Sequence, residues 1–280
     1  MAIEREVSQP LAGFTIGVTA ARRAEEFANL LTRRGAKVVH TPAIRVIPLE
    51  DDAGLALATA SVLANPPQVV VATTAIGFRG WVEYAEAQGL RLVEALKPAR
   101  LIVRGPKAKG AARASGLRES WSPASESSSE VLEHLVAEGV GGVRIAVQLH
   151  GTPTVWEPTV DLCGELSKAG ADVVPVPVYR WMPPTSPEGL DAMVGQICAG
   201  ELDAVTFTSA PAVASLLTRA QDTGRLEPML AALRGPVLAA CVGIVTAAPL
   251  TILDVPTSVP ERSRLGDLAR LLEAELPHRA

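Results

Sequence analysis

Val38-Val39-His40-Thr41-Pro42-Ala43-Ile44-Arg45-Val46-Ile47-Pro48 and Val173-Val174-Pro175-Val176-Pro177-Val178-Tyr179-Arg180-Trp181-Met182-Pro183 are extended, β-branched stretches punctuated by proline. Proline has no amide proton and a fixed φ, so neither stretch suits a helix or a central strand. They read as two crossing linker strands at about 38–49 and 173–183. They divide the chain into a discontinuous α/β domain of residues 1–43 plus 180–280 and a second α/β domain of residues 50–175. A double linker is a hinge, and a cleft between hinged domains is a common place for a ligand.

Outward from these linkers, short apolar runs alternate with helical patterns. Strands are expected at 14–19, 68–72, 100–104, 143–149, 204–208 and 236–241. Helices are expected at 24–34, from 75, at 107–115, 160–168 and 211–220, and from 245. Phe27, Leu30 and Leu31 form the i, i+3, i+4 stripe of the first helix, which Gly35 stops. Strands alternating with helices indicate βαβ units and parallel sheets. Several strands are apolar on both faces, as sheets covered on both sides require.

The composition excludes several classes. The chain has 280 residues, 48% of them hydrophobic and 20% charged, which is enough for a buried core and excludes a wholly disordered chain. No run of about 18 uncharged apolar residues offers a membrane span. The start, Met-Ala-Ile-Glu-Arg-Glu-Val, lacks the basic and apolar blocks of a signal peptide, and the three scattered cysteines make a reducing cytoplasm the expected location. Cys163, Cys198 and Cys241 are far apart, with no C-x-x-C, so neither a disulfide scaffold nor a zinc site is expected. With a net charge of -4 and ten aromatic residues, no nucleic-acid partner is expected. The glycines in 137–142 precede a strand rather than follow one, and no G-x-x-x-x-G-K-[ST] occurs, which argues against a nucleotide-using two-domain transferase.

Three features can carry chemistry. The first is charge segregation: residues 97–118 hold Lys97, Arg100, Arg104, Lys107, Lys109, Arg113 and Arg118 and no acid, whereas 119–140 hold Glu119, Glu126, Glu130, Glu133 and Glu138 and no Lys or Arg. Lys107 and Lys109 fall at a strand-to-helix turn, where the amides of a helix start hold carboxylates well. A solvated basic face paired with the acidic helix after it explains the same pattern. The second is a set of turns with hydroxyls and small residues: Thr19 to Arg22, Thr73 to Ala75, Gly105 to Lys107, Thr208 to Ala210, and Gly243 to Thr246. Each lies at the carboxyl end of an expected parallel strand, where open α/β sheets bind ligands. Plain helix capping is the competing explanation. The third is Tyr179 on the second linker, either a phenolic donor at a cleft floor or a ring packed beside Trp181.

With G-F-T-I-G-V-T-A-A-R-R, L-L-T-R-R-G-A-K-V-V-H-T-P-A-I-R-V-I-P, V-V-V-A-T-T-A-I, R-I-A-V-Q-L-H-G, L-S-K-A-G-A-D-V-V-P-V-P-V-Y-R-W, A-V-T-F-T-S-A-P-A-V and V-G-I-V-T-A in this order, the chain resembles the uroporphyrinogen-III synthase family over about residues 12–272. The resemblance implies two flavodoxin- or Rossmann-like parallel-sheet α/β domains joined by a two-stranded β linker. It implies closure of the linear tetrapyrrole hydroxymethylbilane to uroporphyrinogen III, with inversion of ring D and loss of water. No cofactor or metal is expected, and a monomer is. Tyr179 matches the family's tyrosine and is the candidate catalytic residue. Thr19, Arg22, Thr73, Thr74, Gly105, Lys107, His150, Gly151, Thr208, Ser209, Gly243 and Thr246 are the candidate substrate-binding residues.

The chain departs from the family pattern at three places. Thr19-Ala20-Ala21 replaces a T-R-P, with Arg22 next. His150-Gly151 stands where R-G is usual. The V-G-x-x-T turn of the middle domain becomes Val103-Arg104-Gly105-Pro106-Lys107-Ala108, in which Ala108 has lost the hydroxyl and Lys107 offers a cation instead. Some members carry a C-terminal winged-helix DNA-binding domain. The alternative reading is therefore a non-catalytic tetrapyrrole- or anion-sensing domain of a transcriptional regulator.

Overall fold

In a computed structural model, which describes residues 9–49, 53–149, 151, 156 and 160–279, the alternation of apolar runs and amphipathic stretches becomes two separate parallel sheets. In chain order the elements are β1 (Thr15–Val18), α1 (Ala24–Thr32), β2 (Lys37–His40), β3 (Arg45–Pro48), α2 (Ala53–Ala64), β4 (Val69–Ala72), α3 (Ala75–Ala87), α4 (Leu92–Leu96), β5 (Arg100–Val103), α5 (Pro106–Ala114) and α6 (Ser128–Glu138). They continue with β6 (Arg144–Gln148), α7 (Leu162–Lys168), β7 (Asp172–Val176), β8 (Tyr179–Met182), α8 (Glu188–Cys198), β9 (Ala204–Phe207), α9 (Ala210–Asp222), α10 (Leu226–Arg234), β10 (Leu238–Cys241), α11 (Ile244–Thr251), β11 (Thr257–Ser258) and α12 (Leu265–Glu275).

The described residues form two units. Unit 1 holds residues 9–45, 156 and 182–279, and unit 2 holds the described residues of 46–151 and 160–181. The chain passes from one to the other at 45/46 and returns at 181/182. Both crossings fall in β3 and β8, which pair as a two-stranded antiparallel ladder. The amide of Leu49 extends it by donating to the Val178 carbonyl at 2.9 Å.

Unit 1 has the strand order β11-β10-β9-β1-β2, and unit 2 has β5-β4-β6-β7. All the pairings within these two sheets are parallel. Counted within each unit, both orders place the second strand beside the first on one side and the third strand beside it on the other. That is the flavodoxin-like winding, with a topological switch at β1/β9 in unit 1 and at β4/β6 in unit 2. The unbroken apolar run of β4 follows from burial on both faces. Val70 and Ala72 join a core with Phe78, Trp81 and Val103, whereas Val69 and Val71 join one with Val131, Leu135 and Leu166.

The proline-punctuated stretches need a correction. Each holds two strands rather than one linker strand. β2 and β7 are outer strands of the two main sheets, and only β3 and β8 form the ladder. Pro175 lies within β7, opposite Val147, and is tolerated because an edge strand has one side without a ladder partner.

The sequence reading assigns no element to 53–64, 92–96, 188–198 or 226–234, where the structure forms α2, α4, α8 and α10. In α2 a single hydroxyl does two jobs: Thr59 Oγ1 donates to the Leu55 carbonyl at 2.7 Å and accepts from Trp81 Nε1 at 3.0 Å. Both Thr59 and Trp81 are fully buried. Thr59→Val keeps the shape but strands the indole N–H, at a cost of about 1–3 kcal/mol. Chemical denaturation is expected to show a lower midpoint with an unchanged slope.

Candidate active site

The carboxyl ends of β4, β5 and β6 share one edge of the unit 2 sheet, and those of β1, β9 and β10 share one edge of the unit 1 sheet. All the strand-to-helix turns singled out in the sequence lie on these two edges. Hydroxyls that look alike in the sequence now divide by their partners.

Thr19 and Thr73 occupy matching places, each directly after the first strand of its unit. Thr19 Oγ1 donates to the Thr206 carbonyl at 2.8 Å, and Thr73 Oγ1 donates to the Gln148 carbonyl at 2.7 Å. Their exposures are 0% and 3%. Each hydroxyl latches the switch between two strands, and its only proton is committed there, so it has none for a carboxylate ligand. Their placement is therefore structural, not that of ligand donors.

Thr74 is set differently. Its hydroxyl caps α3 by accepting from the Gly77 amide at 3.1 Å, and it accepts more weakly from Gln148 Nε2 at 3.5 Å. The same oxygen lies 3.1 Å from the phenol oxygen of Tyr179, and either hydroxyl can donate across that contact. Tyr179 is 4% exposed and meets Trp181 edge to face, with ring centroids 5.1 Å apart. The packing beside Trp181 that the sequence left open is present, and the phenol also hydrogen-bonds Thr74.

The sequence reading missed Gln148, which organises this group. Its buried Oε1 accepts from the Thr74 amide at 3.1 Å, while Nε2 donates to the Leu149 carbonyl. A buried glutamine at the end of an otherwise apolar strand is the signal that could have found it. Gly77 makes room for it: a Cβ there would stand 1.9 Å from Gln148 Nε2.

Gly151 has a packing reason of its own. Its φ is +47°, and a Cβ would fall 1.8 Å from Trp181 Cδ1. The neighbouring candidate His150 lies outside the described residues.

The remaining turns present helix starts without side-chain caps. Gly105, Ser209 and Gly243 are the N-caps of α5, α9 and α11, and none carries a side-chain capping bond, in contrast to Thr74 on α3, Ser127 on α6 and Asp161 on α7. Uncapped first-turn amides leave donors and the positive end of the helix dipole for an anion. Thr208 and Ser209 are half-buried, and Thr246 is 6% exposed; none of their hydroxyls forms a hydrogen bond among the described residues. Beside them, Ile244 and Val245 on the first turn of α11 are 66% and 40% exposed.

The basic run splits. Arg100 pairs with Glu138 at 2.6 Å, and Lys109 and Arg113 reach Glu119 at 2.8 and 2.6 Å. The hydrogen bond from Arg113, followed by that from Lys109, pulls the Glu119 carboxyl down to about 2. Those cations belong to the solvated, paired face. Lys107, on the first turn of α5, is exposed and makes no ion pair among the described residues, and the same holds for Arg22 before α1. Glu126 lies against Gly105, with Oε2 3.2 Å from where a Cβ would be. Burial pushes the Cys241 thiol up to about 12, and burial with the Asp161 charge pushes Cys163 up to about 11. Both stay protonated and are poor nucleophiles.

A family model described as "Uroporphyrinogen-III synthase HemD" matches residues 25–270. The chain belongs to the HemD uroporphyrinogen-III synthase family. Among solved structures, it is similar to a mutant uroporphyrinogen III synthase from Thermus thermophilus, with 28% identity, 94% of this chain and 100% of that one covered, and a TM-score of 0.76. The wild-type enzyme from the same organism, in another crystal form, gives 29% identity, coverage of 95% and 98%, and a TM-score of 0.64. Among curated proteins, the uncharacterized protein YjjA of Bacillus subtilis (strain 168) is 28% identical over 264 residues, covering 91% of this chain and 93% of that protein. Membership in the HemD family agrees with the two parallel sheets and the paired β3–β8 ladder. Among the described residues, no helix is long and apolar enough to cross a membrane, and no group of three or more His, Cys, Asp or Glu could hold a metal ion.

Proposed function

We propose that this HemD family member cyclises hydroxymethylbilane to uroporphyrinogen III. The observation that carries this reading is the pairing of uncapped helix starts with exposed apolar side chains. Gly243 and Ser209 leave amide donors open, and Ile244 and Val245 stand beside them. The substrate is four apolar pyrrole rings bearing eight carboxylates, and it needs both kinds of contact. Such a ligand is met by amides, hydroxyls and a few unpaired cations rather than by a nucleophilic triad.

The chemistry asked of the side chains is modest. The C–O bond of the hydroxymethyl carbon breaks, and the departing hydroxide takes a proton to leave as water, giving an electrophilic azafulvenium cation. Ring D attacks it through its already substituted α-carbon, forming a spiro intermediate. Cleavage of the older bond, rotation of the ring and closure at the other α-carbon follow, with loss of that carbon's proton. Tyr179 is assigned as the proton donor to the leaving hydroxide. The free substrate closes to the type I isomer, so the protein's larger task is to hold the substituted carbon of ring D near the electrophile. Thr74, Thr208, Ser209, Gly243 and Thr246 are assigned to substrate positioning, with Gly105, Lys107 and Arg22 supplying further anion contacts.

Freshly generated hydroxymethylbilane incubated with the full chain is expected to give predominantly the type III isomer after oxidation and separation. Type I alone, with measurable bilane binding, would support a sensing domain instead. Charge reversal tests the assignment of Lys107. Lys107→Glu is expected to raise KM several-fold, whereas Lys97→Glu, at the far end of α4, is expected to leave it within two-fold. Equal effects would return Lys107 to the solvated basic face.

A further inference from the structure

The loop after β11 ends on Glu261-Arg262-Ser263-Arg264, a stretch to which the sequence reading gave no role. β11 runs parallel to β10, so this loop leaves the same edge of the unit 1 sheet as the Gly243 turn. The Arg264 amide donates to the Arg262 carbonyl at 2.7 Å, closing a tight turn with Ser263 at its tip. That tip rests on the start of α11: a Cβ on Gly243 would lie 2.8 Å from Ser263 Oγ. Yet Ser263 does not cap the helix, since α11 has no side-chain capping bond, and its hydroxyl has no partner among the described residues.

Two further observations point to a ligand at this place. Thr246, one turn into α11, is 6% exposed and has an unpartnered hydroxyl. Arg262 and Arg264 are exposed and form no ion pair among the described residues, whereas Arg23, Arg219 and Arg270 in the same unit are bound to Glu26, Asp191 and Asp267. Two unpaired cations on either side of an open hydroxyl in the sequence, in a turn beside an uncapped helix start, match the needs of a carboxylate.

We infer that the Arg262-Ser263-Arg264 turn is a further substrate-binding element, which closes over a carboxylate of the tetrapyrrole at the start of α11. This inference rests on the proposed cyclisation, and two readouts separate their failures. The first is KM for hydroxymethylbilane. The second is direct binding of uroporphyrin III, the oxidised cyclic octacarboxylate, measured calorimetrically at two salt concentrations without any turnover.

Arg262→Gln/Arg264→Gln is expected to raise KM and to weaken uroporphyrin III binding at least five-fold, with a shallower salt dependence. Ser263→Ala is expected to weaken binding about two- to three-fold, and Arg262→Lys/Arg264→Lys to restore most of the loss. Binding by the double glutamine variant equal to that of the wild type, at both salt concentrations, would overturn the inference whether or not the wild type turns over. So would absence of uroporphyrin III binding by the wild type. The expected binding changes with no type III product would leave the turn as a ligand site and refute the cyclisation alone.

Discussion

Tyr179→Phe is expected to lower the rate of type III formation by about ten-fold or more while the fold stays intact. General acid assistance typically contributes about 10²–10⁴-fold, and only part of it is lost if water substitutes as donor. The ring keeps its edge-to-face contact with Trp181 and its buried position, so packing is unchanged. The loss is one hydroxyl, bonded to Thr74 Oγ1 at 3.1 Å. That bond is worth about 0.5–1.5 kcal/mol of stability, a small shift in the unfolding midpoint. Single-turnover kinetics with isomer separation, alongside a denaturation curve, read both quantities. An unchanged rate would remove Tyr179 from the mechanism.

Gly77→Ala is expected to be at least as damaging, by a different route. The added Cβ would stand 1.9 Å from Gln148 Nε2 and 2.9 Å from Thr74 Oγ1, so the glutamine amide must leave. The Thr74 amide then loses its acceptor, Thr74 Oγ1 loses a donor, and the hydrogen bond between Thr74 and Tyr179 is no longer held in place. Displacing a buried amide with its partners costs about 1–3 kcal/mol, against which the better helix propensity of alanine offsets less than about 1 kcal/mol. The expected result is a lower denaturation midpoint together with a fall in type III rate comparable to that of Tyr179→Phe. If stability falls and the rate does not, the Gln148–Thr74 pair supports only the sheet.

The strands β4, β5, β6, β9 and β10 are legible in the sequence because burial on both faces demands continuous apolar runs. Helix α2 is not, because Ala-Gly-Leu-Ala-Leu-Ala-Thr-Ala-Ser-Val-Leu-Ala is apolar all round and shows no preferred face. Helix α8 carries Leu190, Met193, Val194 and Ile197 at helical spacing, a readable pattern to which the sequence reading assigned no element. The turns at the sheet edges could be located from sequence, but not the partner of each hydroxyl. Thr19, Thr73 and Thr74 are one residue type in similar contexts. Only the fold shows that the first two latch strand to strand while the third points at Tyr179. Gln148 and Ser263 escaped because each acts through a neighbour distant in sequence, Thr74 and Gly243 respectively.

If this protein joins the hydroxymethyl carbon to the crowded side of ring D, the new bond can be read directly. Hydroxymethylbilane labelled with carbon-13 at the hydroxymethyl carbon, and at the ring D α-carbon that already bears the bridge to ring C, tests it in one spectrum. The expected product shows one-bond carbon–carbon coupling between the two labels, because the substituted carbon has become the partner of the new bond. A product in which that coupling is absent, the labelled ring carbon still carrying its original bridge, would contradict the account.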